Sequence, residues 1–474
     1  MLVGCGAPVD SERLGAIAAN GMSPEDAART TERLERALAR GDDAQGRADR
    51  FGDMAATAGS VTPGALVQAA LARNSRIGAA AEDIALADAE RMRAVFGYLP
   101  QVTIGYQRSE IDQEVIRSDN VVFQAGTAQY PVTTLTARID QPIIDLSRIF
   151  AIQHARNART QAEVDYLATV RAVVYEVLDT YVMAAQSAAR ARALNSRMAI
   201  LDRQVSAQGA LAETGLGIAS APSALRSERA GIASEAAMEM TRYADALGRL
   251  SFLTGSTITQ VAPLRATGVS MSGARGMNVD ALVARGLQEN PAVMSAALAV
   301  VGADVQRQQA LAADFSPVLT AYALLEREDR EASRFGGGSL TQDQTVGVQL
   351  TVPLFNAQGR GYEIGTANVR LRRQGLEYNA LVRELETDIR TTHARLLQLA
   401  QASGQAATAT REAGVAVRAE QDRVAVGESS DFATAARELR LAQSRELQDV
   451  YSAEYLRAWF RLQYLTGVDM RAGL

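Results

Sequence analysis

Apolar and polar residues alternate with a period of two in four short stretches of the chain. Val346, Val348, Leu350 and Val352 alternate with Thr345, Gly347, Gln349 and Thr351, and Val102, Ile104 and Tyr106 alternate with Thr103, Gly105 and Gln107. Leu135, Ala137 and Ile139 repeat the pattern, and residues 318–325 follow it less regularly. Side chains on a strand point to opposite faces in turn, so these stretches predict strands at about 101–108, 132–141, 317–326 and 344–353, each with one apolar and one polar face. An ordinary half-buried sheet has this pattern, and so does a membrane barrel with lipid outside and water inside. The intervening residues 108–131 and 326–342, rich in charge and containing Gly336-Gly337-Gly338, read as solvent-exposed loops.

Elsewhere the period is helical. Leu167, Val170, Val174, Val177, Tyr181, Ala184, Ala188 and Ala191 are spaced alternately three and four apart, as are Tyr378, Val382, Leu385, Ile389, Thr392, Leu396 and Leu399. This is the seam of a coiled coil, in which small alanines let helices approach closely. No helix breaker interrupts residues 147–208, and a helix of that length extends about 90 Å, too long for a compact domain.

The pattern is written twice. Asn74 precedes a helical run ending at Pro100, and Asn290-Pro291 precedes one ending at Pro317; Pro142 is matched by Pro353, Leu216-Gly217 by Val426-Gly427, and Leu253-Thr254-Gly255 by Leu465-Thr466-Gly467. The offsets stay between the 210 residues from Gly217 to Gly427 and the 217 from Pro100 to Pro317, which marks a duplication rather than a solenoid. Each half reads helix, strand, loop, strand, very long helix, short loop, long helix. The domain reading is an amino-terminal segment at 1–61 with a helix near 24–40, a first repeat at 62–255, a Gly/Ser/Thr-rich linker at 256–279, a second repeat at 280–467 and a tail at 468–474. Thr62-Pro63, Asp145 and Asn356 are predicted helix starts.

Composition narrows the class. The chain is 47% hydrophobic but only 5% aromatic, which favours close helix packing over a bulky core. Net charge is −5 without acidic or basic blocks, and all basic residues are arginine; this argues against a nucleic-acid partner. No run of about 18 apolar residues occurs, so a span of the membrane would require a barrel. Leu2-Val3-Gly4-Cys5 matches a bacterial lipobox and predicts lipidation of Cys5, with Gly6 in place of the aspartate that opposes outer-membrane sorting; the alternative is an unmodified thiol. His154 and His393 lie on different long helices without Cys, Asp or Glu at ligand spacing, and no phosphate loop or nucleophile elbow occurs. The sequence therefore predicts neither an enzyme nor a bound metal or cofactor.

Taken together and in order, the helix starts at Asn74 and Asn290-Pro291, the helix-to-strand prolines Pro100 and Pro317, the stretch Val352-Pro353-Leu354-Phe355-Asn356 with Gly359, the glycine hairpins and the two Leu-Thr-Gly ends resemble the TolC-like outer-membrane efflux proteins over residues 62–467. The resemblance implies a mainly helical fold with a transmembrane β portion: a homotrimer in which each chain gives four strands to a twelve-stranded barrel and its helices to a coiled-coil periplasmic tunnel. It implies outer-membrane lipid around the barrel, a periplasmic membrane-fusion adaptor docked on the hairpins at Gly215, Leu216 and Gly217 and at Val426, Gly427 and Glu428, and an inner-membrane antiporter or ABC transporter as the energy source. The function it implies is a passive exit duct for tripartite efflux or type I secretion. Aspartate rings that narrow the entrance in some members are replaced by Ala433 and Ala436, leaving Glu213, Arg226 and Asp431 as candidate gating residues. A non-channel periplasmic coiled-coil scaffold is the alternative; it explains the heptads but not strands at matching places in both halves.

Overall fold

The computed structural model of the protein describes residues 55–57, 59–116, 126–215, 218, 220–264, 276–332, 337–353 and 361–468. The elements run β1 (Ala55–Thr57), α1 (Pro63–Arg73), α2 (Ser75–Phe96), β2 (Gln101–Val115), β3 (Gly126–Ile144), α3 (Leu146–Glu213), α4 (Ala221–Thr254), β4 (Ser256–Ile258), α5 (Val279–Glu289), α6 (Pro291–Phe315), β5 (Val318–Arg330), β6 (Ser339–Thr351), α7 (Tyr362–Ala425) and α8 (Asp431–Thr466). Two helices, a strand pair and two more helices thus occur twice. The chain divides into two compact units: one holds the described residues up to Asp83 with Ala162–Ser295 and those from Asn379 onward, the other Ile84–Gln161 and Ala296–Tyr378.

The predicted helix starts form as their chemistry dictates. The Thr62 hydroxyl accepts from the Ala65 N–H with Pro63 in the first turn, and the buried Asp145 carboxylate accepts from the Arg148 N–H at 3.1 Å. Asn356, Cys5, the helix expected at 24–40 and most of the tail lie outside the described residues. The α3 helix has 68 residues, a rise of about 100 Å. No described helix is both long and apolar enough to cross a membrane.

In the first unit the helix that opens each half is broken in two by its asparagine. Asn74 has extended backbone, and its buried side chain donates to the Leu253 carbonyl at 2.8 Å while accepting from the Arg76 N–H at 3.0 Å. Asn290 does the same, donating to Leu465 O at 3.0 Å and accepting from Ala292 N at 2.9 Å. The helix each asparagine reaches ends in Leu-Thr-Gly for a reason. The Thr254 and Thr466 hydroxyls donate back to Leu250 O and Leu462 O at 2.8 Å, and Gly255 and Gly467 take the left-handed conformation at φ 59° and 81°. A Cβ on Gly467 would also lie 2.6 Å from Glu289 Cβ. The helices pack through buried Leu66, Leu178, Leu194, Leu201, Leu250, Ile389, Leu396 and Tyr455. Beyond Gly255, residues predicted as linker form β4, which pairs in parallel with β1, Ala55 opposite Ser256.

The second unit carries a four-stranded antiparallel sheet of order β2-β3-β5-β6, with β2 and β6 at its edges. Its strands overrun their predicted ends. Residues 108–115 and 126–131, expected in a loop, form the outer half of the β2–β3 hairpin, with Ile111 opposite Tyr130 and Val115 opposite Gly126. The period of two continues there with inverted phase. Arg108, Glu110, Asp112 and Glu114 occupy the face that is apolar nearer the helices, while Ile111, Val115, Tyr130 and Val132 cluster on the other. The charged residues masked this alternation in the sequence.

The asparagine clamps generate a prediction. Asn290→Ala leaves a buried carbonyl and a backbone N–H without partners, and should cost about 2–4 kcal/mol. Asn74→Ala should cost a similar amount, read from the denaturation midpoints of both variants.

Candidate functional site

Two regions bear on function: the helix hairpins and the two faces of the sheet. The first hairpin joins α3 to α4. Thr214 and Gly215 close it, with Gly215 at φ 74°, and the Thr214 hydroxyl donates to Ala210 O and Leu211 O. Leu216 and Gly217 lie outside the described residues, so the left-handed residue established here is Gly215. Glu213 and Arg226 are exposed, and neither forms an ion pair with another described residue. Ile218 beside the turn is 73% exposed.

The second hairpin joins α7 to α8. Gly427 at φ 77° lets the Glu428 N–H reach Arg423 O at 2.8 Å, closing α7, and the Ser430 hydroxyl accepts from Ala433 N at 3.3 Å, opening α8. Val426 at its tip is 72% exposed, so both hairpins present an apolar side chain to solvent. Behind the tip the buried Glu420 carboxylate accepts from the Ser429 hydroxyl, with Arg423 and Arg437 at 3.7 and 3.8 Å. Glu420 was not singled out from the sequence; an acid seven residues before a hairpin glycine is a weak signal. Asp431 is exposed at the start of α8 and borders a groove with Asp202 and Arg203 of α3.

Arginine ion pairs lace the hairpin helices together. Near the tips Arg203 pairs with Glu438 and Arg229 with Asp202. Farther along, Arg190 bridges Glu239 and Glu446 at 3.2 and 3.1 Å, and Arg197 meets Glu446 at 3.2 Å, joining α3, α4 and α8. Arg457 pairs with Asp179 at 2.7 Å, and the hydrogen bond to Asp179, helped by Glu454, holds its guanidinium above the usual arginine range against the opposing effect of burial. Sequence separation hides these pairs: Glu446 follows Arg190 by 256 positions.

The sheet has two chemically distinct faces, and the register aligns them across all four strands. One face carries the rows Val102–Ile139–Ala323–Val346 and Ile104–Ala137–Leu325–Gln344. Ile104 is 74% and Val346 84% exposed, a large apolar surface without cover in a single chain. The opposite face carries Thr103–Arg138–Leu324–Thr345 and Gly105–Thr136–Glu326–Asp343. On it Arg138 holds Asp140 with two hydrogen bonds of 2.7 and 2.8 Å and stacks on Tyr322, whose ring lies over Gly347, where any Cβ would stand 3.0 Å away. Exposed Phe96, Phe315 and Tyr362 stand where the helices meet the sheet, and exposed Tyr106 stands in the row that ends the apolar belt.

His154 is within 3.0 Å of Gln306 Nε2, and among the described residues no three His, Cys, Asp or Glu side chains gather as a metal site.

The sequence matches no family model and no curated protein. Solved structures do match. The CmeC outer membrane channel of Campylobacter jejuni aligns with a TM-score of 0.70 at 15% identity, covering 86% of this chain and 86% of that one. The outer membrane protein VceC of Vibrio cholerae aligns at 0.68 and 16% identity, covering 86% and 97%. The open state of the Neisseria gonorrhoeae MtrE outer membrane channel aligns at 0.65 and 15%, covering 85% and 88%. Across nearly the whole length of these proteins, then, the chain has the TolC-like fold of outer-membrane channels.

Proposed function

We propose that the chain is one protomer of a homotrimeric outer-membrane exit duct that passively conducts cargo after docking a periplasmic adaptor and an inner-membrane pump. The observation that carries this reading is the sheet with an exposed apolar face, a polar face and two unpaired edges. Lipid tolerates no open strand edge, and four strands are too few to close. Three copies closing edge to edge make a twelve-stranded barrel with the apolar rows toward lipid and the polar rows lining water. Exposed Met238, Met240 and Leu376 on the helices supply apolar contact for the same association. The two channel repeats at 62–255 and 280–467, and an acyl anchor on Cys5, belong to this reading.

The hairpins at Gly215, Leu216 and Gly217 and at Val426, Gly427 and Glu428 are the proposed adaptor-docking tips, with Ile218 and Val426 as apolar contacts. Glu213, Arg226 and Asp431 are proposed entrance residues. Transport energy comes from an antiporter or ABC transporter, since a duct of this kind has only to open.

Four outcomes test the proposal. Val348→Arg or Ile104→Arg places a charge on the lipid face at a cost of about 2–4 kcal/mol per copy and should abolish recovery in carbonate-washed outer membranes, whereas Thr345→Arg on the polar face should leave it intact. Equal behaviour of all three would leave the non-channel scaffold standing. The Arg203–Glu438 pair is largely exposed on the arginine side, so Arg203→Ala should change stability by under about 1 kcal/mol. The same variant, and Arg226→Ala, should raise the leak conductance of the isolated trimer in planar bilayers. A photo-crosslinker at Val426 should capture an adaptor in native membranes, and one at Leu447 on α8 should not.

A further inference from the structure

The apolar belt ends abruptly. In the row Tyr106–Leu135–Arg327–Gln342 it meets an arginine on β5, and in the next row, Arg108–Thr133–Asp329–Leu340, an arginine on β2. The pairing runs through both rows without a bulge, so Arg108 and Arg327 share the face of Ile104 and Leu325. Both are exposed, and neither makes an ion pair among the described residues, although this protein's other arginines are widely paired. Asp329, two strands from Arg108 in its own row, is likewise unpaired. Farther out, the same face of β2 is acidic at Glu110, Asp112 and Glu114. On this face basic side chains are thus confined to two adjacent rows, which also hold Asp329, between the apolar belt and the acidic outer end of β2.

We propose that Arg108 and Arg327 bind the phosphate groups of an outer-leaflet glycolipid. This rests on the barrel reading above, which makes the belt the lipid-facing surface. Four physical points support it. The two arginines sit on either side of β3 and about 12 Å apart by strand spacing and rise, which suits a headgroup carrying more than one phosphate. A guanidinium presents a planar donor fork matched to phosphate oxygens. Tyr106 stands level with Arg327 and one row below Arg108, at the height where an amphipathic ring meets headgroups. The leaflet is fixed by topology: α2, α3, α6 and α7 all join the sheet at one end, and these arginines lie beyond the apolar rows from that end. The acidic residues beyond repel phosphate and hold the contact at one level.

The test uses the purified full-length trimer in detergent, with diphosphoryl lipid A, its dephosphorylated form and phosphatidylglycerol as probes, read by native mass spectrometry and by thermal shift. Diphosphoryl lipid A should bind the wild type at least about tenfold more tightly than either other lipid, and Arg108→Gln/Arg327→Gln should erase that preference. Arg108→Lys/Arg327→Lys should retain part of it, which a misfolded barrel would not. Unchanged preference in the glutamine variant, or equal binding of phosphatidylglycerol, overturns the proposal. Failure of the wild type to partition into outer membranes defeats the barrel reading itself and is scored separately.

Discussion

A side-chain amide buried between two helix ends governs how each half of this chain is built. Asn74 and Asn290 each stop one helix, start the next and hold the carbonyl of a Leu-Thr-Gly terminus on a third helix. A buried amide left unpaired is expensive, so its two partners are specified together. The left-handed glycine then turns the chain away, and the close approach of Gly467 to Glu289 leaves no room for a side chain. Because the clamp recurs in both halves, α4 and α8 end at equivalent anchors, and the strands of both halves belong to one sheet.

The sheet obeys a different constraint. Its backbone is satisfied by ladders except along β2 and β6, while its side chains separate by face with no buried layer on the apolar side. Such a surface has a low free energy only against hydrocarbon or another protein. The aromatic residues at the helix–sheet junction and at Tyr106 bound the apolar rows on either side, as interfaces of lipid and water favour. Past Tyr106 the strands continue, but with the apolar residues turned to the opposite face. A paired ladder leaves no backbone group unsatisfied between β2 and β3 in either solvent, so the hairpin can extend beyond the belt.

Much of this was legible in the sequence because the signals are local. Alternation found all four long strands, the Asn and Leu-Thr-Gly pairs found the duplication, and Thr62 and Asp145 marked helix starts. Legibility failed where a signal changed phase or became nonlocal. The inverted alternation at 108–115 read as a charged loop, and three residues of β4 read as linker because their partner lies at Ala55–Thr57. The Glu420–Ser429–Arg437 contact and the Arg190 bridge join residues whose proximity only the fold reveals. The hairpin glycines were recognised as a pair, but which glycine of Gly215 and Gly217 turns the chain is a backbone matter that spacing does not decide.

The two kinds of bonding suit two mechanical roles. In the first unit the helix ends are held by buried hydrogen bonds at Asn74 and Asn290, costly to break and indifferent to salt. Toward the hairpin tips the ties become partly exposed arginine ion pairs, such as Arg229 with Asp202, each weak in water and screened by ions. The amide clamps thus hold the ends of α4 and α8 that lie far from Gly215 and Gly427. Helices fixed firmly at one end and loosely at the other can shift their tips while their anchors stay put, since exchanging one exposed ion pair for another changes the energy little. A change of packing near the tips then needs only a differential free energy of a few kcal/mol between the two arrangements.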